Sequence, residues 1–167
     1  MMNESFAIAD LHFGHKKIIT YEPSRMHFLT IEEHDAELVY RWNSVVRKLD
    51  TVWVLGDVLF GKHSFQHLSL LNGTKKLILG NHDHYQLSLY QQHFSKIYGA
   101  FKLKDCILTH IPIHPSQFHR FKMNLHGHSH SEVLDDLRYV NVSAEQQNLT
   151  PILLRTLISE RLEKVYS

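Results

Sequence analysis

Gly80-Asn81-His82-Asp83 sets a neutral oxygen ligand, an imidazole and a carboxylate in a row behind a turn-forming glycine. That combination reads as a metal site with an acid beside it. More of the same chemistry lies along the chain in order: Asp10-Leu11-His12 and Gly56-Asp57 come before it, His110 and Gly127-His128-Ser129-His130 after it. Carboxylate, imidazole and amide donors suit Mn2+, Fe and Zn2+ better than a thiolate-seeking ion, and no cysteine belongs to the set. If the backbone is extended through Asp10-Leu11-His12, both donors point the same way and Leu11 turns to the core; His128-Ser129-His130 repeats the pattern.

Histidine makes up 15 of the 167 residues, so accidental motifs have to be weighed. Taking the chain's own composition, the four short motifs in this order would arise in roughly one in 10⁴ to 10⁵ shuffled sequences. Asp-x-His or Gly-Asp alone says little. The information lies in the ordered set.

Such residues need strands that end where the motifs begin. Short apolar runs closing in a polar or glycine-bearing segment span residues 5–9, 51–55, 76–79, 106–109, 123–125 and 139–142, and each reads as a buried strand. Thr30 and Glu33 form a capping-box pair that starts a helix, with Leu38, Trp42, Val45 and Leu49 at helical spacing behind it. Shorter helical patterns cover residues 64–71 and 85–94, and residues 151–157 read as a late strand before a final helical turn or two. Strand–helix alternation implies a parallel or mixed sheet, and the carboxyl ends of such strands form the binding crevice. Every donor motif falls at one of those ends.

Composition narrows the classes. With 43% hydrophobic residues, 167 residues suffice for one core, so a single domain over 1–167 is expected. Eighteen Lys and Arg against 17 Asp and Glu leave a formal charge of +1, without the global field that draws in nucleic acid or membrane. Cys106 lies in an apolar run and reads as a buried core residue in a reducing compartment. Neither a signal segment nor a run of membrane-spanning length can be fitted, so a cytoplasmic protein without membrane association is expected.

Taken in order, the motifs resemble the calcineurin-like metallophosphoesterase superfamily. Phe13 and His15 in Asp10-Leu11-His12-Phe13-Gly14-His15 depart from its usual Asp-x-His-Gly and are similar to the small bacteriophage-type subgroup. Arg25 with Phe28, His34-Asp35, Trp42-Asn43, Asp50, His110-Ile111-Pro112 and the stretch from Tyr139 to Glu145 agree with it. The resemblance implies an α/β fold, a four-layer α/β/β/α sandwich with two mixed sheets and the metal site at the carboxyl ends of the strands. It implies two divalent cations, Mn2+ first, with Fe, Zn2+, Ni2+ and Mg2+ also accommodated. Asp10, His12, Asp57 and His130 would hold one, and Asp57, Asn81, His110 and His128 the other.

The activity implied is hydrolysis of phosphodiesters or phosphomonoesters by in-line attack of a hydroxide held between the cations, with His82 assisting the leaving group. The substrate would be a phosphoester such as a nucleotide or nucleic-acid end, with no obligate protein partner. A nuclease and a non-catalytic scaffold that kept the fold are the alternatives. Asp83 would support His82 catalytically or cap a helix near Tyr85. His15, Arg25 and His114 are candidate substrate contacts, each against an ordinary surface role. Asn141 and Glu145 would support the metal ligands, or form a turn and a helix cap. Residues 118–122 mix basic and aromatic side chains but read as a solvated loop.

Overall fold

Alternating side chains along β1 (Ser5–Ile8) serve two different cores in the computed structural model, which describes residues 3–166. Phe6 and Ile8 pack with Val52 and Val54 of β2 (Thr51–Val54), Leu77 of β3 (Thr74–Ile78), and Leu38 and Trp42 of α2 (Ile31–Val45). Ala7 points the other way, with Trp53 and Ile78, toward a second sheet. Being apolar on both faces, these strands read as continuous hydrophobic runs.

The first sheet runs β4-β3-β2-β1-β9, with β4 at Lys96–Tyr98 and β9 at Ile152–Leu153. All its neighbours are parallel except β1 and β9. The second runs β5-β6-β7-β8, namely Phe101–Leu103, Cys106–Leu108, Met123–His126 and Tyr139–Asn141, with β5 antiparallel to β6 and the rest parallel. Two mixed sheets therefore pack face to face, as expected. Helices α1 (Ile18–Tyr21), α3 (Phe65–Leu70) and α4 (Leu87–Tyr90) follow the first three strands of the first sheet, and α5 (Leu154–Tyr166) closes the chain. Over the second sheet the segment after β6 contributes only a 3-10 turn, Pro115–His119, whose Phe118 ring packs against Tyr139 at 4.9 Å.

The Thr30 capping box forms as read: Glu33 N–H donates to the Thr30 hydroxyl at 3.2 Å, while the Glu33 carboxylate accepts from Thr30 N–H. Inside α2, Trp42 is buried and its indole N–H donates to the Asn72 carbonyl at 2.9 Å, so its one polar atom is satisfied. The helix ends at Val45, short of Leu49, which is 74% exposed. Tertiary pairing wins there: the Asp50 carboxylate accepts Arg47 N–H and Glu4 N–H, turning the chain into β2. Two other expectations need correction. Residues 85–94 hold only the four-residue α4, and after the two residues of β9 the chain is helical for thirteen. Leu154, Leu157, Ile158 and Leu162 recur at helical spacing and pack on the second core, which settles the ambiguity of a short apolar run. No described helix is long and apolar enough to cross a membrane.

Candidate metal centre

The donor motifs emerge from strand ends of both sheets. Beyond β1 and β2 the chain stays tied by backbone bonds, Asp10 N–H to Gly56 O at 3.0 Å and His12 N–H to Asp57 O at 3.1 Å. The parallel pairing persists to a bridge between Phe13 and Leu59, and along it Asp10, His12 and Asp57 take positive φ, at 56°, 53° and 52°. His128 and His130 behave alike, at 69° and 47°. The extended backbone expected of both Asp-x-His and His-x-His is thus replaced by left-handed residues. Each such residue with a Cβ costs about 1–2 kcal/mol.

Among the described residues, donor atoms gather in three groups; Glu22, His130 and Glu145 form one, and the other two consist of expected ligands. One atom each from Asp10, His12 and His130 lie within 4.8 Å of one another, as do those from Asp57, His110 and His128. Asp57 joins the groups: its Oδ2 is 3.3 Å from His110 Nε2 and 3.9 Å from His12 Nε2. His110 Nδ1 donates to the Leu55 carbonyl at 2.7 Å, which turns Nε2 toward Asp57 and the Asn81 amide oxygen, 2.9 Å away. On the far side, Glu145 Oε1 takes His130 Nδ1 at 2.9 Å and leaves its other nitrogen for the group. Ser143 Oγ and His128 N–H both donate to Asp10 Oδ2, at 2.7 and 2.9 Å.

Two atoms of the expected ligands are conspicuous for having no partner, and Glu145 Oε2 beside His130 is a third at the site. Asp10 Oδ1 and His12 Nε2 are buried and accept no hydrogen bond. Buried polar atoms are nearly always paired, because leaving one bare costs on the order of 1–3 kcal/mol. Burial pushes the Asp10 carboxyl up to about 6 against the pull of His110 and His130. It holds the His12 imidazole well below its ordinary value, so that ring is neutral with a lone pair on offer. At Asp57 burial also pushes upward, but the bond and charge of His110 outweigh it and the carboxyl sits below its usual range. Burial lowers His128 as it does His12. At His110 and His130 burial also pushes downward, but the Asp57 and Glu145 carboxylates outweigh it and raise both, drawing a proton as they would a cation. The unpartnered atoms of Asp10 and His12 and the Asp57 carboxylate between the groups fit bound cations.

Glycine is required at two of these turns. A Cβ on Gly127 would stand 2.5 Å from Asp10 Oδ2 and from the Ala9 Cβ, and one on Gly80 would stand 2.5 Å from the Asp57 amide nitrogen. Both contacts are with the donor loops themselves.

No model of a known protein family matches the chain. An uncharacterized protein of Methanocaldococcus jannaschii, MJ1445, is 33% identical over 98% of this chain and 93% of its own length. This chain belongs to the family of that archaeal protein. The Gene 66 protein of Mycobacterium phage L5 is 32% identical over 80% of both chains, so the family includes phage members. Among solved structures, the AQ665 protein of unknown function from Aquifex aeolicus superimposes with a TM-score of 0.77 at 22% identity, covering 95% of this chain and 99% of the other. That likeness concerns the fold.

In this family member the remaining expected site residues divide. His82 stands at the crevice with its side chain 45% exposed, its N–H donating to Asp57 Oδ1 at 2.9 Å and its Nε2 4.0 Å from Asp57 Oδ2. Asp83 caps no helix, since α4 starts only at Leu87 and has no side-chain cap. Its buried carboxylate instead accepts the backbone N–H groups of Asp57, Val58 and Gly80 at 2.9, 3.0 and 2.8 Å, tying the Asp57 loop to the Asn81 loop. His15 is half-buried, 3.2 Å from His12 between their Nδ1 atoms, and stacks on Phe60 with centroids 3.9 Å apart.

Arg25 lies elsewhere than expected of a phosphate clamp. It is 0% exposed, and its guanidinium donates to the carbonyls of Asp10 and Leu11 at 2.6 and 3.1 Å and pairs with Glu145 at 2.6 Å. The short, strained loop leaves carbonyls that only a buried donor reaches. His114 is exposed and bonds Ser116 within its own 3-10 turn. Glu145 is no helix cap but holds His130, and Asn141 donates to the His130 and Glu132 carbonyls at 2.9 Å each. Sequence reasoning passed over Phe60, which touches the rings of His12, His15 and His82, and Ser143, which bonds Asp10. Ser143 sits beside Glu145 in a stretch already singled out; nothing marks Phe60 in sequence.

Proposed function

We propose that this protein is a binuclear-metal-dependent phosphoesterase of calcineurin-like type that hydrolyses phosphodiester or phosphomonoester bonds. The observation that carries the reading is Asp57, one carboxylate within 4 Å of His12, His82 and His110, joining two donor groups beside an exposed histidine. Asp10, His12, Asp57 and His130 would hold one divalent cation, and Asp57, Asn81, His110 and His128 the other. When bound, the pair supplies an activated water and neutralises charge on a phosphoryl group. The chain's own residues do the rest. Asp57 N–H and Val58 N–H, fixed by Asp83, would keep the shared Asp57 carboxylate in position. His82, whose backbone N–H is anchored on Asp57 and whose ring is half-exposed, would give a proton to the departing oxygen. A nucleotide or nucleic-acid end is the substrate this reading favours, and Mn2+ the first cation to try.

The test is hydrolysis of an aryl phosphodiester, bis(p-nitrophenyl) phosphate, by metal-free protein with and without added Mn2+. Turnover should depend on Mn2+, disappear in Asp57→Asn and fall by roughly 10²- to 10³-fold in kcat in His82→Ala. Mn2+-loaded wild-type protein inert toward a broad panel of phosphoesters would sink the proposal and favour a scaffold that retains the fold.

A further inference from the structure

A file of buried polar side chains runs from α2 to the His130 loop. Asp35 Oδ2 accepts the Gly14 N–H at 2.9 Å and its Oδ1 lies 2.9 Å from His34 Nδ1. His34 Nε2 is 3.0 Å from Arg25 Nη1, Arg25 Nη2 is 2.6 Å from Glu145, and Glu145 Oε1 is 2.9 Å from His130 Nδ1. The side chains of Arg25 and His34 are 0% exposed, and those of Asp35 and Glu145 are 4% and 1% exposed.

Bond direction along the file is fixed. A guanidinium has no acceptor, so His34 must accept from Arg25 at Nε2 and donate from Nδ1 to Asp35. Burial lowers the His34 pKa, with Asp35 pulling the other way, in keeping with that neutral tautomer. Taking charges out of water is expensive, and buried ion pairs add little net stability; their attested value is in specifying one arrangement. What is specified here can be read from where the file ends. Its contacts fall on the Asp10 and Leu11 carbonyls, on the Gly14 amide two residues past His12, and on the His130 ring. No bond in the file reaches Asp57, Asn81, His110 or His128.

We infer that Asp35, His34, Arg25 and Glu145 are positioning residues for one cation, the one held by the Asp10, His12 and His130 group. The inference rests on the metal-binding reading above. It is tested by calorimetric titration of metal-free wild-type protein, Glu145→Gln and Asp35→Asn with Mn2+ alone. The wild type should show two sites. In Glu145→Gln one site should weaken about ten- to a hundredfold while the other, coupled to it only through Asp57, changes by less than about threefold. Asp35→Asn, at the far end of the file and away from every donor, should weaken the same site by a smaller factor and is informative even if Glu145→Gln fails to fold. Two sites weakening together, as a general loosening of the fold would produce, overturns the inference, and so does no change in either. A wild type that binds no Mn2+ overturns the metal-binding reading itself and the inference with it.

Discussion

Positive φ at Asp10, His12, Asp57, His128 and His130 concentrates backbone strain where the donor atoms meet. Strain of this kind persists only when the surroundings over-determine it, and here Asp83 supplies much of that restraint. Its single carboxylate satisfies three backbone amides from two loops. Asp83→Ala leaves those amides without their acceptor inside the protein, and the loss should be about 2–3 kcal/mol of stability in a urea titration, with kcat falling as Asp57 drifts. Asp57→Asn is expected to behave differently. Asparagine tolerates the left-handed region, so the metal-free variant should fold, giving up only the stability that the lowered Asp57 carboxyl contributes near pH 7, while losing its response to Mn2+. Gly80-Asn81-His82-Asp83 shows how far residue types alone reach: they announced chemistry at the tetrapeptide, but not that its last member would be a brace between loops.

Elements were legible in proportion to how local their signals are. The Thr30–Glu33 box and the apolar spacing of Leu38 and Trp42 mark α2 because they depend on neighbours within a turn or two. Its C-terminal end was not legible, because Asp50 draws Arg47 and Glu4 into a turn from outside the helix. Those two backbone donors hold the Asp50 carboxyl below its ordinary range. A carboxyl lowered by folding contributes stability above its unfolded value, near pH 4, and loses it as pH falls through the folded value. Asp50→Asn should therefore be less stable than wild type by about 1 kcal/mol at pH 7, with the gap closing in melts below roughly pH 4. Strands β4 and β5 escaped notice because they are three residues long and half-exposed, too short for either periodicity to register.

At the scale of the molecule, the two donor groups lie on the seam between the sheets. His128 comes from the end of β7 in the second sheet, yet its N–H bonds Asp10 beyond β1 in the first, 118 residues away. A cation on either group would therefore link both sheets and stabilise the folded chain by mass action. Mn2+ at about 100 times its Kd should contribute roughly 2.7 kcal/mol per site, or a rise in Tm of about 5–10 °C. A chelator should reverse it; a Tm indifferent to Mn2+ would show that the seam binds no metal. A cleft of about 500 Å³ between α5 and the β5–β6 hairpin, with Cys106 in its wall, shares no residue with this region. A larger one, about 710 Å³, opens beside the region, with Gly14, Asp35 and Phe60 in its lining.

By itself the sequence determined the inventory of donors, their order and their place at strand ends, since these follow from residue type and from patterns a few residues long. Packing of the two sheets decided what those donors do together. It bent Asp-x-His and His-x-His out of extended geometry, sent Arg25 into the interior and made Asp83 a brace. Each of these outcomes depends on backbone groups distant in sequence that must be satisfied once water is excluded, and no local spacing encodes which ones they will be.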